Sequence, residues 1–330
     1  MKISTWVLGL ASTILTGAVS ADHPAGPTPH LHDDVVRDGR ADIIFQGGTS
    51  LAYWTFAANG QRSSAYAGDG GPGYSVVAVS DFDGDRSADV LWTNGSHLKL
   101  WVNDGFGSYT SVSVGNYGGG WVPFAAGDIN GDGRSDLFFR GSTHLAYWLM
   151  DGPRVTASSY AGDGGAGWRV VAIDKFSHKP AGEAGVDVLW TNGSQLKIWY
   201  NYPKDGNFNF SYVFADYGGD WEPFGAGDVD GDSIADIFFR SRTHIYYWFL
   251  TFVDDDAPFW FHDVRYAGDA GEGFRVVAIT DYDNDKKAEL LWTNGSTLKT
   301  WRFGSAGGYQ PTIVGSYGNG WQPLELLIPD

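Results

Sequence analysis

The chain contains no cysteine, so disulfides and thiolate metal sites are excluded and every staple in the fold must be non-covalent or ionic. Basic residues are scarce. The 22 Lys+Arg face 39 Asp+Glu for a net charge of −17, which argues against nucleic acid as a partner, because phosphate-backbone binding needs clustered positive charge. Beyond residue 19 no apolar run approaches the ~20 residues that span a bilayer, and no stretch keeps a helical period over three turns. A membrane span and a helical bundle are therefore not expected. HExxH and GxSxG are absent, and the glycine-rich GDGGPG and GDGGAG precede no helix whose N-terminus would bind an anion. What the sequence has in quantity is glycine (47) and aromatic residues (15 Trp, 17 Tyr, 20 Phe). That composition describes a turn-rich, aromatic-packed body.

Met1 and Lys2 precede an apolar stretch, Trp6 to Val19, that ends in Val19-Ser20-Ala21, the pattern of a cleaved secretory signal over 1–21. An extracellular location is expected. Residues 22–33 carry three prolines and three histidines without hydrophobic periodicity and read as a flexible leader. The folded domain is then 34–330.

An internal repeat dominates that domain. An acidic residue opens each of six apolar runs (Asp42, Asp89, Asp136, Asp187, Asp236, Glu289), and twelve positions after each stands a tryptophan (Trp54, Trp101, Trp148, Trp199, Trp248, Trp301). Odd units carry YAGD at Tyr66, Tyr160 and Tyr266, whereas even units carry LWTNGS at Trp92, Trp190 and Trp292. The chain is thus three copies of a two-unit tandem. Short runs rich in β-branched residues, such as YSVVAVSD and FRVVAITD, predict strands covered on both faces, and Asn94-Gly95 predicts a hairpin tip with positive φ at both residues. About four short strands per ~50-residue unit, six times over, predict an all-β, six-bladed propeller of four-stranded blades. The last unit finishes with Trp321-Gln322-Pro323-Leu324-Glu325-Leu326-Leu327, which aligns with the innermost strand of other units, while the first begins one strand later. One composite blade should close the ring, with the C-terminal strand inside the N-terminal ones.

Four loops read DxDGDxxxD or close to it: Asp81, Asp83, Asp85, Asp89; Asp128, Asn130, Asp132, Asp136; Asp228, Asp230, Asp232, Asp236; and Asp281, Asp283, Asp285, Glu289. Oxygens at positions 1, 3, 5 and 9 around a tight bend suit a hard cation, as in an EF-hand-like loop, and Ca²⁺ fits better than Mg²⁺, which keeps its waters. One structural Ca²⁺ in each would offset much of the acidity. The loop from Asp174 to Asp187 lacks acids at positions 3 and 5 and is expected to hold no metal. The first loop keeps Asp34, Asp38 and Asp42 but has Val36 at a ligand position, a gap that Asp330 would fill in a split site.

FAAGDINGDGRSDLFFR and FGAGDVDGDSIADIFFR resemble FG-GAP repeats of the VCBS type, found in bacterial secreted proteins and, in related form, in integrin α-subunit propellers and propeller lectins. The resemblance implies a propeller whose loop calcium is structural, and it leaves function open. The loop entering each inner strand is glycine-rich and ends in an aromatic: Tyr74, Trp121, Trp168, Trp221, Phe274 and Trp321. With Asp69, Asp163 and Asp269 nearby, these aromatics supply stacking walls and hydroxyl acceptors for a sugar, or else they only pack blades together. The function expected is a non-catalytic, calcium-binding module for glycans or cell-surface glycoproteins. Alternatives are a propeller enzyme, such as a polysaccharide lyase or calcium-dependent phosphatase, and a purely structural or adhesive domain. Trp54 and its five equivalents are expected in the core.

Overall fold

A computed structural model describes residues 33–57, 59–177, 185–201, 208, 210–251, 260–304 and 308–325. The signal, most of the leader and Asp330 lie outside the described residues. The fold is six four-stranded antiparallel sheets. Blade 1 runs from Gln322–Pro323 inside through Ile43–Gly47 and Ser50–Phe56 to Arg62–Asp69 outside. Blade 2 is Ser75–Ser80, Asp89–Thr93, His97–Asn103 and Tyr109–Asn116, and blade 3 is Val122–Gly127, Asp136–Arg140, His144–Asp151 and Arg154–Asp163. Blade 4 is Arg169–Asp174, Asp187–Thr191, Gln195–Tyr200 and Phe210–Asp216. Blade 5 is Glu222–Gly227, Asp236–Ser241, His244–Thr251 and Trp260–Asp269, and blade 6 is Arg275–Thr280, Glu289–Thr293, Thr297–Phe303 and Tyr309–Ser316.

The expected composite blade is present: Phe45 pairs with Pro323 and Gln46 with Gln322, and Leu324 N donates to Ile44 O at 2.7 Å. A second closure runs around the acidic loops. The carbonyl of each loop's first residue accepts the amide of the residue just before the next blade's second strand. The bonds are Asp34 to Ala88 (2.8 Å), Asp81 to Ser135 (2.7 Å), Asp128 to Val186 (2.8 Å), Lys175 to Ala235 (2.8 Å), Asp228 to Ala288 (2.6 Å) and Asp281 to Ala41 (3.0 Å). Because the sixth bond returns to blade 1, every blade is tied to both neighbours at this end. Six buried clusters fill the interfaces between consecutive blades. Removal of this apolar surface from water is what holds the ring together.

Two local expectations change. The hairpin tip puts only glycine in the left-handed region, with Gly95, Gly193 and Gly295 at φ +90° to +91°. Asn94 instead turns its side chain inward, and its Oδ1 accepts the amides of Ser96 and His97 at 3.1 and 2.8 Å. In blade 4 the strand register pairs Asp174 with Asp187 just as Ser80 pairs with Asp89 in blade 2. Lys175, not Asp174, is therefore the first residue of that loop, which removes one more carboxylate from it.

Candidate functional site

The first acid of each intact loop organises its own turn. Asp81 Oδ1 accepts the amides of Gly84 and Asp85, and Oδ2 that of Arg86, at 2.7 to 3.1 Å. Asp281 makes the same three bonds, and Asp34 accepts Asp38 and Gly39. Positions 4 and 6 take positive φ in five loops, including non-glycine residues at position 6: Arg86 (+71°), Ser233 (+71°) and Lys286 (+69°). Carboxylate oxygens converge within 4.8 Å of one another in three sets: Asp81, Asp83 and Asp85; Asp228, Asp230 and Asp236; and Asp281, Asp283 and Asp285. In the blade 3 loop the Asn130 amide donates to Asp132 at 3.0 Å beside Asp128. Carboxylate oxygens this close together could hold a metal ion. Asp283 Oδ1 and Glu289 Oε1 are buried without a hydrogen bond among the described residues, with the Arg302 guanidinium paired to Asp283 and 3.9 Å from Glu289 Oε1, so a bound cation would meet a deficit that Arg302 only partly fills.

The ninth-position acids do something the spacing did not reveal. Each is 0–2% exposed and accepts the amide of the loop's second residue: Asp42 from Val35, Asp89 from Phe82, Asp136 from Ile129, Asp187 from Phe176, Asp236 from Val229 and Glu289 from Tyr282, at 2.8 to 3.2 Å. In four blades the other oxygen accepts the amide fourteen residues on: Asn103, Met150, Asn201 and Leu250. These carboxylates bolt loop to hairpin, and only Asp236 also joins a converging set. Burial pushes Asp89 and Asp136 up to about 7 and Asp42, Asp236 and Glu289 up to about 8.

At the opposite end of the inner strands lie the six predicted aromatics, and they fall into two groups. Tyr74, Trp168 and Phe274 are covered by lysines. Lys99, Lys197 and Lys299 place Nζ 3.9, 4.1 and 3.7 Å from the respective ring centroids. Their ammonium groups donate to the carbonyls of Gly70, Gly164 and Ala270. Desolvation lowers the pKa of all three lysines. Asp69, Asp163 and Asp269 sit beside these lysines and also cap turns through the amides of Gly71, Gly165 and Gly271 at 2.7 to 2.9 Å. Their pKa values are lowered, for Asp69 chiefly by Thr49 and for the other two chiefly by those glycine amides.

Trp321 has a different setting. It lines a cavity of about 320 Å³ between blades 6 and 1, together with Phe45, Ala52, Trp54, Tyr66 and Tyr317. Phe45 lies 4.5 Å from Trp54 and 5.5 Å from Tyr317, centroid to centroid. The same pairs recur between blades 2 and 3 (Phe139 with Trp148 at 4.9 Å and Tyr117 at 5.7 Å). They recur again between blades 4 and 5 (Phe239 with Trp248 at 4.6 Å and Tyr217 at 5.5 Å). Trp54, Trp148 and Trp248 are half-buried at the edge of core clusters, whereas Trp101, Trp199 and Trp301 are fully buried, so the expected core role holds in full in even blades and in part in odd ones. Tyr66, Tyr160 and Tyr266, which carry no functional expectation from the sequence, are 61%, 53% and 44% exposed. Their recurrence in YAGD was the available signal.

Among the described residues no helix is long and apolar enough to cross a membrane. Residues 81–139 match the FG-GAP-like repeat. No curated protein matches the sequence. Among solved structures the chain is similar to an Agrocybe aegerita lectin that specifically recognises non-reducing terminal N-acetylglucosamine. That likeness has 14% identity and a TM-score of 0.59 and covers 87% of this chain and 96% of the lectin. A putative 6-phosphogluconolactonase from Bacteroides fragilis is also similar (12% identity, 89% of this chain, 98% of that chain, TM-score 0.40). So is a post-proline cleaving enzyme from Rickettsia typhi (5% identity, 84% of this chain, 53% of that chain, TM-score 0.44). At these identities the likeness concerns the fold alone. The protein is a six-bladed β-propeller that carries an FG-GAP-like repeat across residues 81–139, a match that takes in the acidic loops of blades 2 and 3.

Proposed function

We propose that the protein is a secreted, calcium-stabilised module that binds carbohydrate on extracellular glycans or cell-surface glycoproteins and carries out no chemistry of its own. The supporting observation is the cavity walled by Phe45, Trp54, Tyr66, Tyr317 and Trp321 between blades 6 and 1. Aromatic faces meet the apolar C–H face of a pyranose, and hydroxyl groups at the rim such as Ser64 and Tyr66 offer hydrogen bonds. The Agrocybe aegerita lectin, of the same fold, binds a terminal sugar, which favours this reading over a catalytic one. Calcium would be held by Asp81, Asp83 and Asp85; by Asp128, Asn130 and Asp132; by Asp228, Asp230, Asp232 and Asp236; and by Asp281, Asp283 and Asp285. Bound there, it neutralises clustered carboxylates and fixes the loops through which the blades are tied. Asp89 and Asp136 act on the loops through backbone amides, whereas Glu289 gives Oε2 to the Tyr282 amide and would add Oε1, which has no hydrogen bond among the described residues, to the set of Asp281, Asp283 and Asp285. A glycan array probed with the mature chain tests the reading. Binding to at least one glycan class in calcium, weakened by chelator, is the expected result; no glycan bound in either condition contradicts it.

A further inference from the structure

One position per blade governs the space beneath each inner-strand aromatic. In the strand registers Ala52 pairs with Phe45 and Tyr66, and Ala146 pairs with Phe139 and Tyr160. Tyr246 pairs with Phe239 and Tyr266. In even blades the same position is Lys99, Lys197 or Lys299, paired with Trp92, Trp190 and Trp292. Three slots are therefore plugged by lysine. The blade 5 slot is plugged by a ring: Tyr246 stands 4.7 Å from Trp221, edge to face, and 4.9 Å from Tyr266. At the equivalent place in blade 1 there is only the Ala52 methyl and a cavity of about 320 Å³. Tyr66 and Tyr160, opposite alanine, are also more exposed than Tyr266, opposite tyrosine.

We infer that the two alanine slots, below Trp321 and Trp121, each take one pyranose ring, and that Tyr246 is the built-in occupant of the third. This rests on the carbohydrate reading above and adds to it the location, the number and the residue that sets them. Tyr246 shows that the gap between tryptophan and tyrosine accommodates one six-membered ring. A pyranose has that size, with hydroxyl groups around its edge. Two slots on one rigid ring make the protein bivalent, so weak single-site binding becomes avid on a dense glycan surface.

Saturation-transfer NMR with the methyl glycosides of N-acetylglucosamine, galactose, glucose and mannose selects a probe, and calorimetry with that glycoside counts sites. Wild type should bind two per chain, Ala52→Tyr one, Ala52→Tyr with Ala146→Tyr none, and Tyr246→Ala three. Tyr66→Ser, an exposed change, should remove one site without altering the melting temperature, which covers the case in which the tyrosine variants fail to fold. Unchanged stoichiometry in the folded double variant or in Tyr66→Ser overturns the inference and leaves the carbohydrate reading standing. No glycoside bound by wild type or by Tyr246→Ala, together with a blank glycan array, removes both.

Discussion

Interfaces entered from an odd blade and interfaces entered from an even blade are built on the same registers but filled in opposite ways. At the first kind, Trp92, Trp190 and Trp292 are 0–3% exposed and a lysine seals the space under the entering aromatic. At the second kind a phenylalanine replaces that tryptophan, and the half-buried Trp54, Trp148 and Trp248 stand beside the slot. Two of those three slots are left to alanine. The difference teaches that a repeat can seal some of its interfaces and leave others open while keeping the same strand registers.

The widest gap between the two kinds should appear in tryptophan truncation. Trp301→Ala, at a fully buried ring stacked 3.8 Å from Tyr309, should cost about 3–5 kcal/mol in urea melts, as large-to-small core changes do. Trp54→Ala should cost less than half of that and act chiefly on glycan binding. Equal destabilisation at the two positions would erase the distinction.

A smaller effect is expected from pH and metal, which act on both kinds of interface alike because the acidic loops lie at the other end. Asp42, Asp89, Asp136, Asp236 and Glu289 have folded pKa values of about 7 to 8 through burial, well above their unfolded values. Between those values the folded chain holds more protons than the unfolded one, so stability in EDTA should fall as pH rises from 5 to 8. Ca²⁺ should flatten the curve. Stability in EDTA that rises over this window would contradict the placement of these carboxylates.

Lysine plugs should be worth less again. Lys197 is 7% exposed, lies over Trp168 and donates to Gly164 O at 2.6 Å. Lys197→Ala should cost about 1–3 kcal/mol, the sum of a desolvated cation–π contact and an abandoned carbonyl. Ala52→Lys, the reverse exchange, should be near neutral in stability and should abolish one glycan site. The smallest change concerns the acidic loops: Lys286→Gly, at φ +69°, should stabilise by about 1 kcal/mol by removing left-handed strain.

The ring itself was legible in the sequence because the repeat supplies its own alignment: twelve-residue spacing from acid to tryptophan, and a first unit that begins one strand later than the others while the last unit finishes on that strand. Where an insertion interrupts the alignment, as between Lys175 and Asp187, spacing assigned the loop's first position to Asp174, and only strand register moves it to Lys175. A ninth-position carboxylate reads as a cation ligand from spacing alone, since nothing in the chain shows that two backbone amides already reach Asp89. The slots were hidden for a different reason. What distinguishes Ala52 and Ala146 from Lys99 or Tyr246 is the absence of a side chain, and an absence acquires meaning only when the opposing Trp321 and Tyr66 are seen to frame it.

The division between open and plugged slots is tested most directly by a crystal structure of the mature chain soaked with the methyl glycoside that calorimetry selects. One sugar ring beneath Trp321 and one beneath Trp121, with none over Tyr74, Trp168 or Phe274 and none beside Tyr246, is the expected density. A sugar seated at the lysine-covered aromatics, or bound only at the acidic loops, would contradict it.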